Sequence, residues 1–387
     1  MESSGTFARN IGTGAGQVYW NAGGGFSAFG GPLQISLNGG AVISWSATAG
    51  FRGQSLVSGG QTADEVATLV NPVNLEANRL IYVWDNTNSP VDAFKMAGTI
   101  ANGGAGNFGI FKYGDGVLWL AGTNTFTGGI SNFNGVVRFV DGVGIPATSS
   151  LRLSGGTVTP CVFETSGTLT RNLGMGAGDI HWFAGHGGFA AWGGDLNLIL
   201  HGGADLVWSS LAGGFNGQTL HLGSRTANGR VDLKNNIQLN GNRYIYVWNN
   251  PFSTGDLARI SGQISNGATV GSQLLKYGDG LLELTATNAY TGLTSLYDGE
   301  TRVMGVVSGP VTVAINGTNG PRTTLSGSGR VGTLVVQPNG IVAPGDGGIG
   351  TLTVNGNVTF VRGSVLDWEI GPFNQTDRLH VMSNVTF

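Results

Sequence analysis

Two Gly-Asp-Gly steps, Gly114-Asp115-Gly116 and Gly278-Asp279-Gly280, set a carboxylate between two residues without side chains. Such a step can lend an oxygen to a calcium ion. Calcium, however, takes about six to eight oxygen ligands, and no acidic run surrounds either copy, so both read as turns. Asn124 and Asn288 precede a Phe-Thr-Gly and a Tyr-Thr-Gly step, where an asparagine amide can bond to the turn backbone. These eight positions are assigned as structural repeat turns. No residue is assigned a catalytic, cofactor or metal role.

The remaining reactive residues give little more. His181, His201 and His221 fall at intervals of twenty, a spacing that could stack imidazoles around a metal. Their counterparts in the first half of the chain are Tyr19, Asn38 and Val57, so a coincidental or solvent-facing pattern is expected instead. Glycoside hydrolysis needs two carboxyls roughly 5–9.5 Å apart. Asp195 and Asp205 are ten residues apart, half a coil if a coil takes about twenty, and Pro32 and Val42 replace them in the first copy. A lyase would want clustered lysines, arginines and acids, and lysines are few. No helix pattern follows a glycine run to make a phosphate loop, and no Ser-His-Asp set stands out. The chain is expected not to be an enzyme and to hold no cofactor.

The elements that must position these residues follow from composition. Glycine supplies 70 of 387 residues and charged residues 11%, against roughly 7% and 25% in an ordinary soluble domain. The glycines have no three-residue period and are interleaved with β-branched and aromatic residues, which leaves a β-rich fold and excludes collagen and disorder. Net charge is −3 with 19 scattered Lys and Arg, so nucleic acid is not an expected partner. No apolar run is long enough for a membrane helix, and MESSGTFARN lacks the apolar core of a signal peptide. Cys161 is the only cysteine, so there is no internal disulfide framework and no thiolate zinc site.

The chain repeats itself. Residues 5–20, GTFARNIGTGAGQVYW, recur as residues 167–182, GTLTRNLGMGAGDIHW. NRLIYVWDN at Asn78 recurs as NRYIYVWNN at Asn242, and KYGDGVLWL at Lys112 as KYGDGLLEL at Lys276, both 164 residues later. Short alternating apolar stretches such as LQISL, AVISW and VVRFV read as strands, and glycine or Asn-Gly, Asp-Gly and Gly-Gly steps separate them. A repeat of about 163 residues is far longer than a propeller blade of about 40–45, and no linker separates the copies, so stacked coils are expected. Helix should occupy less than about a tenth of the chain.

At KYGDGVLWLAGTNTFTGGI and KYGDGLLELTATNAYTGLT the chain resembles the autotransporter-associated β-strand repeat. A lysine, a Gly-x-Gly step, a leucine strand, an asparagine and an aromatic-Thr-Gly turn succeed one another in both copies. The stretch from Leu325, with its APG turn and GTLTVNGN strand, resembles the C-terminal part of autotransporter passengers. The resemblance implies a right-handed parallel β-helix displayed outside a cell. It names no ligand, and because these 387 residues include no membrane barrel, a fragment of a larger protein or completion by another copy is expected.

The expected architecture is therefore all-β, a right-handed parallel β-helix of two tandem long repeats plus a partial third segment. The divisions are 1–163 and 164–310 for the repeats and 311–387 for an incomplete passenger-like segment. The expected role is an extracellular or cell-surface structural or adhesive protein, with a filament or matrix subunit as one form of it. The alternative is a carbohydrate-binding or carbohydrate-active β-helix. Neither end of the sequence shows a cap, which predicts continuation by further β-helix or by a second copy head to tail. Surface polysaccharide is the other candidate partner, and no membrane insertion is expected. Trp20, Trp45, Trp84, Trp182, Trp208 and Trp248 are expected in the core or in a ladder; an exposed tryptophan could instead stack on a sugar ring, and Trp119, replaced by Glu283 in the second copy, is the better candidate for an exposed position. Arg9, Arg171, Arg79 and Arg243 should cap carbonyls, pair with acids, or lie on a solvated face.

Overall fold

Alternation decides which side chains turn inward. In the strand Arg79–Trp84, Arg79, Ile81 and Val83 are buried while Leu80 and Tyr82 are half-buried and Trp84 is exposed. The same period of two recurs in Ile110–Tyr113 and Ser55–Gly59. Each strand is too short to bury its inward face alone, so it is completed by the strand one coil before and one coil after it.

The computed structural model describes residues 1–46, 50–53, 55–156, 159, 161–182, 185–208 and 215–387. These form two units, one of Met1–Ser166 with Arg171–Trp192, the other of Gly167–Thr170 with Gly193–Phe387. Each is a right-handed parallel β-helix. The helical content of the described residues is four 3₁₀ turns of three residues each, Asn38–Gly40, His201–Gly203, Gly317–Asn319 and Pro372–Asn374. No helix among the described residues is long and apolar enough to cross a membrane.

In the first unit, one face stacks Ser55–Gly59, Arg79–Trp84, Ile110–Tyr113, Ile130–Asn132 and Leu151–Leu153 in parallel. A second stacks Val66–Leu69, Ala93–Met96, Val117–Leu120 and Gly135–Phe139. A short third face holds Ile43–Ser44, Val73–Asn74 and Ile100–Ala101. The second unit repeats the plan. Thr219–Leu222, Arg243–Val247, Leu274–Tyr277 and Thr294–Leu296 make one face, and Arg230–Leu233, Leu257–Ile260, Leu281–Leu284 and Gly299–Val303 another. Fully buried Ile, Leu, Val and Phe fill both interiors, Ile81, Leu118 and Ile130 in one and Ile245, Leu282 and Leu296 in the other. Each contributes about 1.5–3 kcal/mol by leaving water.

Coil length does not hold at about twenty residues. Leu325 pairs with Val342, seventeen residues on, while Leu196 pairs with Val231, thirty-five on. The strands are fixed by pairing, whereas the corner loops between them lengthen at little cost, which removes any constant period.

Candidate functional site

The Gly-Asp-Gly steps are corners locked from inside. Gly114 and Gly278 take φ of +79° and +82°, in the left-handed region. A Cβ there would come 2.3 Å from the Val83 carbonyl oxygen and 2.2 Å from that of Val247. Asp115 and Asp279 project outward, exposed, between Gly114 and Gly116 and between Gly278 and Gly280. The Asn249 N–H donates to Asp279 Oδ1 at 3.3 Å.

Beneath each step lies a fully buried lysine, which sequence reasoning passed over. Lys112 Nζ donates to the carbonyl oxygens of Gly114, Gly116 and Asn134 at 2.5, 2.6 and 2.6 Å. Lys276 Nζ repeats this with Gly278, Gly280 and Asp298 at 2.7, 2.6 and 2.7 Å. Burial pushes both side chains down to about 7, opposed at Lys112 by Cys161 and Asp115 and at Lys276 by Asp298 and Asp279. Three carbonyl oxygens match the three donors of an ammonium one for one, and a neutral amine would turn its lone pair on one of them. The available signal was parity, since Lys112 shares the inward register of Ile110.

The asparagines act at the next corner. Asn124 Oδ1 accepts from the Ile100 N–H at 2.7 Å and Nδ2 donates to the Gly144 carbonyl at 2.7 Å; Asn288 Oδ1 accepts from Ile264 at 2.9 Å. The arginines divide. Arg79 caps the Leu75 and Trp45 carbonyls at 2.6 and 2.5 Å, and Arg243 caps Leu239 and Trp208 at the same distances. Arg171 pairs with Asp141 at 2.5 Å, while Arg9 is exposed and reaches only the Gly16 carbonyl, at 3.4 Å.

On the outer side of the lysine-bearing strands the aromatic residues form ladders. In the first unit Trp84, Tyr82, Tyr113 and Phe133 follow one another with ring centroids 6.3, 5.1 and 4.5 Å apart and interplanar angles of 26° or less. In the second, Trp248, Tyr246, Tyr277 and Tyr297 follow at 4.3, 6.4 and 4.1 Å. Trp20, Trp45, Trp182, Trp208 and Trp248 are buried as expected, but Trp84 is 48% exposed. The two copies differ one rung earlier: His221, opposite Tyr246, packs edge-on against Trp248 at 6.0 Å, whereas the matched residue opposite Tyr82 is Val57. Trp119 is not the exposed ring. It is half-buried under Lys95, whose Nζ stands 4.1 Å from the ring centroid, with Trp192 edge-on at 5.0 Å.

The other singled-out residues do not converge. His181 is buried on the register of Arg152, His221 is buried on the register of Tyr246, and His201 is exposed in a 3₁₀ turn, so they form no single ladder. Asp195 is engaged by Arg230 at 2.7 Å, and Asp205 accepts from Asn236 and Gln238 at 3.0 and 3.3 Å. No cluster of three or more His, Cys, Asp or Glu side chains suited to a metal occurs among the described residues.

No family model matches this chain, and no solved structure matches it. Among curated proteins, one described as an extracellular serine protease from Serratia marcescens is 37% identical over 106 residues, 27% of this chain and 10% of that protein. The match thus spans about a tenth of the relative's length.

Proposed function

We propose that this chain is a secreted, extracellular β-helical module that acts by presenting its flanks to other surfaces, as a structural or adhesive protein and not as an enzyme. One observation supports this most: the inward-facing polar residues repeated in both units are consumed by architecture. Lys112 and Lys276 are saturated by carbonyls, Asn124 and Asn288 by corner backbone, and Arg79 and Arg243 by carbonyl caps. What the repeats leave facing outward on these strands is aromatic surface. The resemblance to autotransporter-associated repeats and the extracellular relative both favour display outside a cell. That relative is described as a protease, but a match to a tenth of its length carries no catalytic residues across.

The test is to incubate the purified 387-residue chain with denatured protein and with neutral and acidic polysaccharides, and to separate the products by mass. Intact substrates together with retention of the chain on cell or polysaccharide surfaces support the reading. Steady turnover that copurifies with the chain would overturn it.

A further inference from the structure

We infer that Trp84, with Tyr82 beside it, is a stacking subsite for a neutral oligosaccharide in the first unit, a proposal that rests on the display reading above. The two copies supply an internal comparison. Trp84 and Trp248 occupy the same place in the repeat, yet Trp84 is 48% exposed and Trp248 6%. His221 packs edge-on against Trp248, and the matched position below the Trp84 ladder carries Val57, which has no ring to lay against the indole. The residue next to each tryptophan on the coil below is glycine in both copies, Gly59 and Gly223, so the difference in cover lies two residues earlier, at Val57 and His221. Higher in the ladder the rings are engaged with each other, Tyr113 and Phe133 lying 4.5 Å apart and only 2° from parallel. Of the ladder rings, Trp84 therefore offers the most free surface.

The surroundings select the ligand. The outward positions of Ser55–Gly59, Arg79–Trp84 and Ile110–Tyr113 carry no basic residue, because Arg79 and Lys112 both turn inward. Asp85 follows Trp84 in sequence, and the Gly114-Asp115-Gly116 corner passes directly over it, the Gly116 N–H bonding to the Val83 carbonyl at 2.9 Å. An anion would meet the exposed Asp115 carboxylate, and Lys112, the lysine on these strands, is buried and saturated by three carbonyls. A quaternary ammonium would want ring faces converging on it, whereas Tyr82 and Trp84 are tilted by only 26° and do not form a box. The apolar C–H face of a pyranose fits a flat indole, and its hydroxyls fit the rim, where the exposed Asp115 carboxylate accepts and the half-buried phenols of Tyr82 and Tyr113 donate.

The experiment is isothermal titration of the full chain with cellohexaose, xylohexaose and maltohexaose, and with tetramethylammonium and a heparin oligosaccharide as contrasts. Trp84→Ala should weaken binding of the preferred neutral sugar by about tenfold or more, as loss of a tryptophan anchor does. Val57→His keeps the indole but places over it the residue that closes Trp248, and should weaken binding to a similar degree with the circular dichroism unchanged. Trp248→Phe, in the covered copy, should leave binding as it was. Absence of binding by all three neutral sugars, indifference to both first-unit substitutions, or tighter binding of either contrast ligand would overturn the subsite while leaving non-enzymatic display intact. Shortened sugars in the titration cell would instead overturn the proposed function.

Discussion

At the scale of single residues, the buried lysines hold the corners. Lys112→Met keeps the aliphatic stem but leaves the carbonyls of Gly114, Gly116 and Asn134 without donors. An unsatisfied buried acceptor costs about 1–3 kcal/mol, so a loss of several kcal/mol is expected in chemical denaturation, with Lys276→Met close behind. A loss below about 1 kcal/mol for both would mean that water takes over the caps. Asp92 should give the fold a pH dependence below neutrality. Burial raises its carboxyl to about 7, although the Asn86 N–H, at 3.0 Å, pulls it down, and Asp256 is raised for the same reason in the second unit. Because the folded value lies above the unfolded 3.8, the native state holds the extra proton between them. Stability from this group is complete below about pH 4 and is lost as pH rises through 7. Denaturation midpoints measured across that window should fall, and Asp92→Asn should flatten the trend; an unchanged slope in the variant would assign the dependence elsewhere.

At the scale of elements, corners and strands make different demands. Gly114 needs glycine twice over, for its φ of +79° and for the Val83 carbonyl oxygen 2.3 Å from where a Cβ would stand. Gly142 has a similar φ of +76° but nothing within 4 Å. Gly142→Ala should therefore cost only the left-handed penalty of about 1–2 kcal/mol. Gly114→Ala adds overpacking of about 1–3 kcal/mol more and should lower the melting temperature further. Equal effects would show that the coil below yields. Strands and corners were legible in the sequence because alternation and glycine steps are local signals, as RLIYVW and KYGDG illustrate. Coil length was not, since corner loops vary without disturbing the pairing. Nor could sequence say which tryptophan is open: Val57 stands opposite Tyr82, twenty-five residues on, where the other copy has His221, and that pairing appears only in the strand register. Lys112 was read as a motif letter because its role depends on three carbonyls spread over two coils.

At the scale of the whole molecule, a solenoid is stabilised rung by rung, so surface left open on a rung is surface for the next strand to use. In the second unit Val365–Leu366, Arg378–Val381 and Val385–Thr386 each pair in parallel with the preceding coil, and among the described residues no strand is paired to their other edges. Around them Trp368 is 57%, Ile370 82% and Phe373 95% exposed. Unpaired N–H and C=O groups beside apolar side chains make a template for another chain, and the net charge of −3 gives 387 residues little repulsion to oppose contact. Produced as these 387 residues alone, the polypeptide should therefore associate as its concentration rises, with an average mass by light scattering that grows through the micromolar range, and any further coil would cover the same rung. Replacing Trp368 and Ile370 with Glu and Lys should shift that growth to higher concentration without altering the melting temperature, because neither side chain is buried in the coil. A single monomer mass over the whole range would show that the open rung does not template contact. Growth equal in the parent and the double variant would place the contact on another surface.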